Sequence, residues 1–147
     1  MENQEKVILT NMCMIFDGSK LLVQEKVGKG FKGITCLGGH VESAEPIVDS
    51  VIREIKEETG FTIKSPKLCG IKDWFEEDGS RYMVFIFRTD DFEGSLKSSE
   101  EGRVFGLNFL SLKIFRQCGT LTRWLGLHAA RSIQKFFLIP QIIGNLF

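Results

Sequence analysis

The chain has no cysteine pair spaced to hold a metal. Its four cysteines, Cys13, Cys36, Cys69 and Cys118, stand far apart, with no Cys-x-x-Cys among them. That excludes the usual zinc spacings and reads as buried thiols in a reducing compartment, the cytoplasm. No apolar run is long enough to cross a bilayer. The opening Met1-Glu2-Asn3-Gln4-Glu5-Lys6 lacks the basic and apolar segments of a secretion signal. Net charge is missing too: 19 Lys and Arg balance 19 Asp and Glu. Bulk electrostatics therefore give no reason to expect a nucleic-acid polymer or a membrane as partner. A local absence is more informative. Residues 103–147 hold six Lys and Arg and no Asp or Glu, where average usage would place roughly five acids. The first 102 residues carry all 19 acids against 13 bases, a net of −6.

What is present suits one domain with one core: 147 residues, 43% of them hydrophobic and 26% charged. Val7 to Phe16 reads as a buried strand, and Asp17-Gly18 as the turn into a hairpin partner, Lys20 to Val27. Gly28 to Gly33 is a glycine-rich loop carrying Lys29 and Lys32. Ile34 to Leu37 is a short strand that ends at Gly38-Gly39. From Pro46 to Thr59 the period is helical, with Ile47, Val48, Val51, Ile52 and Ile55 as the buried stripe. Pro46 near its start and Gly60 at its end fit that reading. Ile71 to Phe75 and Tyr82 to Arg88 read as strands around an acidic turn, Glu76 to Gly79. Val104 to Leu110 is a further apolar segment. Leu121, Trp124, Leu125, Ala129, Phe136 and Phe137 suggest a last helix that stops before Pro140.

The 46–59 helix has a second face. Glu54, Glu57 and Glu58 fall at i, i+3 and i+4, so their carboxylates project together. Like charges at this spacing destabilise an isolated helix by a few tenths of a kcal/mol per pair. A solvated acidic face is the plain interpretation of such a run taken alone. A bound divalent cation is the alternative, because hard oxygen donors suit Mg²⁺ or Mn²⁺, which also bind phosphate oxygens.

The run is not alone. Residues 39–61 place Gly39, Glu45, Arg53, Glu54, Ile55, Glu57, Glu58, Gly60 and Phe61 in the order G-x5-E-x7-R-E-U-x-E-E-x-G-U, where U is aliphatic or aromatic. This resembles the Nudix box at every defined position. Chance would produce such a match on the order of once in a billion start positions at average usage. The resemblance follows the family's element order through residue 102 and fades beyond about 105. It implies the Nudix α/β/α sandwich, a mixed sheet between helices, and Mg²⁺-dependent (or Mn²⁺-dependent) cleavage of a pyrophosphate bond. It implies Glu54, Glu57 and Glu58 as metal ligands, with the Gly38 carbonyl completing the shell. Glu54 or a later glutamate orients the attacking water. Arg53 and Glu45 are implied as an ion pair that positions the loop without reacting. Glu101, in Ser98-Ser99-Glu100-Glu101-Gly102, aligns with a further glutamate that family members often supply; a solvated loop acid is the other interpretation. Lys29, Lys32 and His40 are read either as phosphate contacts or as ordinary loop residues. His128 is read as packing on the last helix. Among Trp74, Phe75, Tyr82 and Phe85, mostly sheet-face aromatics, the sequence does not choose one to stack on a base.

The box sets the chemistry and not the leaving group. The short region ahead of Gly39 resembles MutT-type 8-oxo-dGTP diphosphatases more than ADP-ribose pyrophosphatases. The implied reaction is hydrolysis of a nucleoside triphosphate to pyrophosphate and a monophosphate. A base pocket is expected between Asn11 and Cys13, Thr35 and the late strand, although Thr35 is a poor substitute for the amide that some purine-selective relatives place there. A dinucleotide or nucleotide-sugar pyrophosphatase, and a non-catalytic nucleotide-sensing module, remain as alternatives. The chain is read as a single domain, and a homodimer is compatible with it.

The acid-free tail prompts one more expectation. After Phe105 the family continues with Trp, an aliphatic residue and an acid-rich stretch, whereas this chain reads Gly106-Leu107-Asn108-Phe109-Leu110. Glycine codons begin GG, so one T inserted before the Gly106 codon makes TGG, tryptophan. With Leu107 encoded TTA or TTG, the next codons become NTT, apolar, and RAA, Glu or Lys. Residues 106–147 are therefore either a frameshifted translation or a divergent native tail.

Overall fold

The computed structural model describes residues 4–27, 33–97, 99–100 and 102–108, and the backbone of 135–138. Lys29, Lys32, Glu101, Cys118, His128 and residues 121–134 of the expected last helix lie outside the described residues.

The apolar run after Lys6 forms β1 (Val7–Asp17), and the Asp17-Gly18 turn returns it as β2 (Lys20–Lys26). These two strands pair only beside the turn, Phe16 with Leu21 and Asp17 with Lys20. They then separate. Along its length β2 pairs antiparallel with β8 (Gly102–Asn108), and its other edge takes β3 (Gly33–Thr35). β1 instead runs parallel to β6 (Arg81–Thr89) in a nine-residue register from Val7–Arg81 to Ile15–Thr89. β6 pairs antiparallel with β5 (Lys67–Phe75), whose register shifts between Leu68 and Gly70. The result is a seven-stranded mixed sheet. A two-residue ladder, β4 (Thr62–Ile63) with β7 (Phe92–Glu93), stands apart from it.

β1 alternates strictly between two cores. Cys13 and Ile15 face one cluster with Leu37, Val51, Ile55 and Phe87. Met12 and Phe16 face the other, with Val23, Cys36, Val84 and Ile86. The first cluster is where α1 (Ile47–Thr59) docks. Pro46 occupies the N-cap in an extended conformation, and Gly60 ends the helix in the left-handed region with its N–H on the Lys56 carbonyl. The buried stripe is narrower than the apolar letters suggest. Val51 and Ile55 are fully buried, but Val48 is 45% exposed, and the buried position beside it belongs to Ser50.

The α/β class and the mixed sheet match the sequence expectation. The expected last helix needs a correction at its end: Phe136 and Phe137 lie in a strand, β9 (Lys135–Leu138), antiparallel to β5 with Gly70 opposite Leu138. Consecutive aromatics have strong β propensity, and the outer edge of β5 offers backbone partners that a helix would leave unused.

At β8, Gly106 pairs with the core residue Leu22. The expected family tryptophan would therefore fall on the face that carries α1, where this chain has no side chain. The frameshifted reading of the tail would restore it, and the divergent native reading leaves the position to Gly106. The nucleotide sequence decides between them: if the tail is frameshifted, the frame shifted by one inserted base after Phe105 should read Trp-apolar-Glu/Lys and then an acid-rich segment. A stop codon within a few residues in that frame would refute the frameshift.

Candidate active site

Between the separated strands β1 and β2, the chain from Leu37 to Val41 crosses from β3 to β1. The N–H groups of Asn11 and Cys13 donate to the carbonyls of Gly39 and Leu37, and Val41 donates to Leu9. The backbone is held so close that a Cβ on Gly38, at φ +147°, would collide with the Asn11 carbonyl. A Cβ on Gly39 would lie 2.5 Å from the Glu54 carboxylate, so the loop touches α1 there. The Gly38 N–H donates to Glu58 Oε2 at 3.0 Å. The carbonyls of Leu37 and Gly39 are thus used by β1, and no described hydrogen bond uses that of Gly38.

Arg53 is the hub of the acidic face. Its Nε donates to Glu45 Oε1 at 2.7 Å, and one Nη donates to Glu45 Oε2 at 3.0 Å and to the His40 carbonyl at 3.1 Å. Its other Nη donates to Glu54 Oε1 at 3.0 Å and Glu57 Oε2 at 3.1 Å. All five guanidinium N–H groups are placed, which only a planar fork can do. The Glu45 hydrogen bonds hold the Arg53 proton more tightly than usual. Reciprocally, the Arg53 hydrogen bond holds the Glu45 carboxyl below the ordinary carboxylate range, helped by the Glu42 N–H.

Glu54, Glu57 and Glu58 therefore share one helix face beside Gly38. The Glu54 side chain is 16% exposed and that of Glu57 59%, while Glu58 is buried. Among the described residues, no three carboxylate, imidazole or thiol groups stand in a ready-made metal shell. The reason is visible: Arg53 draws Glu54 and Glu57 to itself and so relieves the repulsion that the helical spacing predicts. The donor set still fits a hard divalent cation. It has three carboxylates, one of them buried, next to a glycine carbonyl for which the neighbouring strand supplies no donor.

The remaining candidates are placed differently. Thr35 is buried, and its hydroxyl donates to the Cys36 carbonyl at 3.1 Å. Cys13 is fully buried in the core, and Asn11, 3% exposed, binds Gly39 and Ser50. His40 is exposed and meets the Tyr82 ring edge-on at 6.2 Å. Trp74 and Tyr82 stack at 4.5 Å on the sheet face away from α1. Sequence reasoning missed Asn11 and Ser50 as a pair. It also missed Gln24, opposite Thr35, whose fully buried amide has no hydrogen-bond partner among the described residues.

The NUDIX domain model matches residues 8–129, running past the point near 105 where the sequence resemblance fades. An uncharacterised Nudix hydrolase of Bacillus subtilis, YvcI, is 37% identical over 63% of this chain and 60% of its own length. The ADP-ribose pyrophosphatase of Methanocaldococcus jannaschii is 35% identical over 63% of this chain and 57% of its own. An oxidized purine nucleoside triphosphate hydrolase of Danio rerio is 34% identical over 65% and 62%. The chain thus spans about three fifths of the length of these relatives. A MutT protein of Bacillus halodurans superposes with a TM-score of 0.67 at 26% identity, covering 90% of this chain and 98% of that one.

Proposed function

This chain belongs to the Nudix family, and we propose that within it the protein hydrolyses a pyrophosphate bond of a nucleoside triphosphate or related nucleotide, releasing pyrophosphate and a nucleoside monophosphate. One observation carries the proposal. Two carboxylates of α1 reach the glycine pair that the first strand pins in place, with Gly38 bound to Glu58 and Gly39 against Glu54, and Arg53 holds Glu57 beside Glu54. Gly38, Glu54, Glu57 and Glu58 would hold Mg²⁺, with Mn²⁺ as a substitute. When bound, the cation neutralises phosphate charge and lowers the pKa of its water.

The protein's own groups do the rest. Arg53, fixed by Glu45, sets where Glu54 and Glu57 stand. Glu54, backed against Gly39, accepts the proton of the attacking water, unless Glu101 takes that part. Glu57 is the most exposed of the three and hangs on Arg53 by one hydrogen bond, so it rearranges toward a cation at least cost. Lys29 and Lys32 lie three and six residues beyond the end of β2 and would meet the phosphate chain. Thr35 borders the base. Among the described residues no helix is long and apolar enough to cross a membrane. Burial pushes the Cys36 thiol up to about 12 and that of Cys69 up to about 11, inert thiols that suit the cytoplasm.

A dinucleotide or nucleotide-sugar pyrophosphatase is the second reading, favoured by the similarity to an ADP-ribose pyrophosphatase. Product analysis separates them. A panel of nucleotides with Mg²⁺ should yield pyrophosphate and a monophosphate from a triphosphate. A monophosphate plus a sugar phosphate from ADP-ribose would establish the second reading, and no product from any would mark a sensing module.

A further inference from the structure

A buried polar contact joins α1 to the sheet at a position that the box motif leaves undefined. Asn11 sits on β1 with its side chain turned toward α1, 3% exposed, where its neighbours on that face are Cys13 and Ile15. Its Nδ2 donates to Ser50 Oγ at 2.8 Å, and its Oδ1 accepts from the Gly39 N–H at 3.3 Å. Ser50 is fully buried, and its own hydroxyl proton goes to the Ile47 carbonyl at 2.7 Å. Every step of this relay has a donor and an acceptor. One amide therefore ties together a strand, the glycine loop and the first turn of α1.

The placement matters for the acidic face. Ser50 stands one turn before Glu54 on the same helix, and Gly39 is the residue that Glu54 touches. α1 has no side-chain cap at its N-terminus, so this buried bond fixes its rotation there. An apolar contact can slide, whereas a dry hydrogen bond loses most of its energy when its geometry drifts.

We propose that Asn11 and Ser50 are positioning residues for the divalent cation: together they set the distance between the Gly38-Gly39 backbone and the carboxylates of α1. The inference rests on the metal reading of that site and adds two residues to it. Partners that orient metal ligands typically change affinity or activity by about 10–100-fold when replaced.

The test is Mn²⁺ titration of the full chain, followed by electron paramagnetic resonance, beside thermal melting without metal. Asn11→Leu keeps the volume and removes both bonds; it should weaken Mn²⁺ binding about tenfold or more. Ser50→Ala should weaken it several-fold, and adding Ser50→Ala to Asn11→Leu should cost little more, because the bond is already gone. Ser50→Thr keeps the hydroxyl and should keep the affinity even where its extra methyl lowers the melting temperature. If Asn11→Leu does not fold, the two Ser50 variants carry the test. Unchanged affinity in Ser50→Ala, or losses that follow melting temperature across all variants, would overturn the proposal. A wild-type protein that binds Mn²⁺ but hydrolyses no nucleotide would sink the proposed function and leave this inference standing. A wild-type protein that binds no Mn²⁺ would end both.

Discussion

Glu58→Gln should lose two to three orders of magnitude in Mg²⁺-dependent turnover while keeping its fold. The amide can still accept the Gly38 N–H through its oxygen, so the loop stays anchored. What disappears is a negative charge at the buried end of the cluster, where Glu58 is 4% exposed. Losing a charged ligand removes part of the several kcal/mol that a cation supplies to the transition state. At ~1.4 kcal/mol per tenfold, a loss of about 3–4 kcal/mol gives that range. Glu57→Gln should follow the same pattern. Melting makes the assignment specific. Without metal, Glu58→Gln should melt close to the wild type, because the amide oxygen still accepts the Gly38 N–H. With Mg²⁺ the wild type should gain stability, about 2.7 kcal/mol at a hundred times its dissociation constant, and the variant should gain far less. Near-normal turnover of either variant at saturating Mg²⁺ would remove that residue from the ligand set.

Arg53→Ala should damage stability and activity together. It removes five hydrogen bonds and leaves Glu45, Glu54 and Glu57 without the guanidinium that collects them. Activity should fall about 10–100-fold, as for other groups that orient metal ligands. The pH dependence of melting tests the same hub. The Glu45 carboxyl is held below its ordinary value by Arg53. Its contribution is therefore complete above the unfolded carboxylate pKa of roughly 4.3 and is lost as the pH falls through the lowered folded value. The wild-type melting temperature should drop below about pH 4.5 more steeply than that of Arg53→Ala. A variant with unchanged melting and unchanged turnover would leave Arg53 no positioning role.

The helix and its acidic face were legible because two periodic patterns share one segment. Val51 and Ile55 mark the face turned to the sheet, Glu54 and Glu57 mark the face beside it, buried Glu58 stands at the seam between them, and Gly60 ends the run. β1, β2 and β6 were legible as apolar runs bounded by turns. β5 was read from Ile71 but begins at Lys67. The shift between Leu68 and Gly70 breaks the alternation that would have shown its start. Polar residues inside the core left no pattern to read. Asn11, Ser50 and Gln24 carry letters that usually mean surface, and only the fold reveals which of them meet. The same holds for Arg53. Its spacing from Glu45 suggested a pair, but its reach to Glu54 and Glu57 depends on the rotamers that α1 and the glycine loop allow together. Phe136 and Phe137 show the opposite failure, an apolar stripe that fits a helix on paper and pairs with β5 as a strand.

The central claim is that Glu54, Glu57 and Glu58 gather a divalent cation against Gly38 for attack on a pyrophosphate bond. A crystal grown with Mn²⁺ and a non-hydrolysable nucleotide triphosphate, read by anomalous scattering, tests it most directly. The account predicts a Mn²⁺ peak between the α1 carboxylates and the Gly38 carbonyl, with phosphate oxygens in the same shell and Glu57 moved off Arg53. A Mn²⁺ site elsewhere, or a nucleotide bound with Glu54 and Glu57 still on Arg53 and no metal beside them, would contradict it.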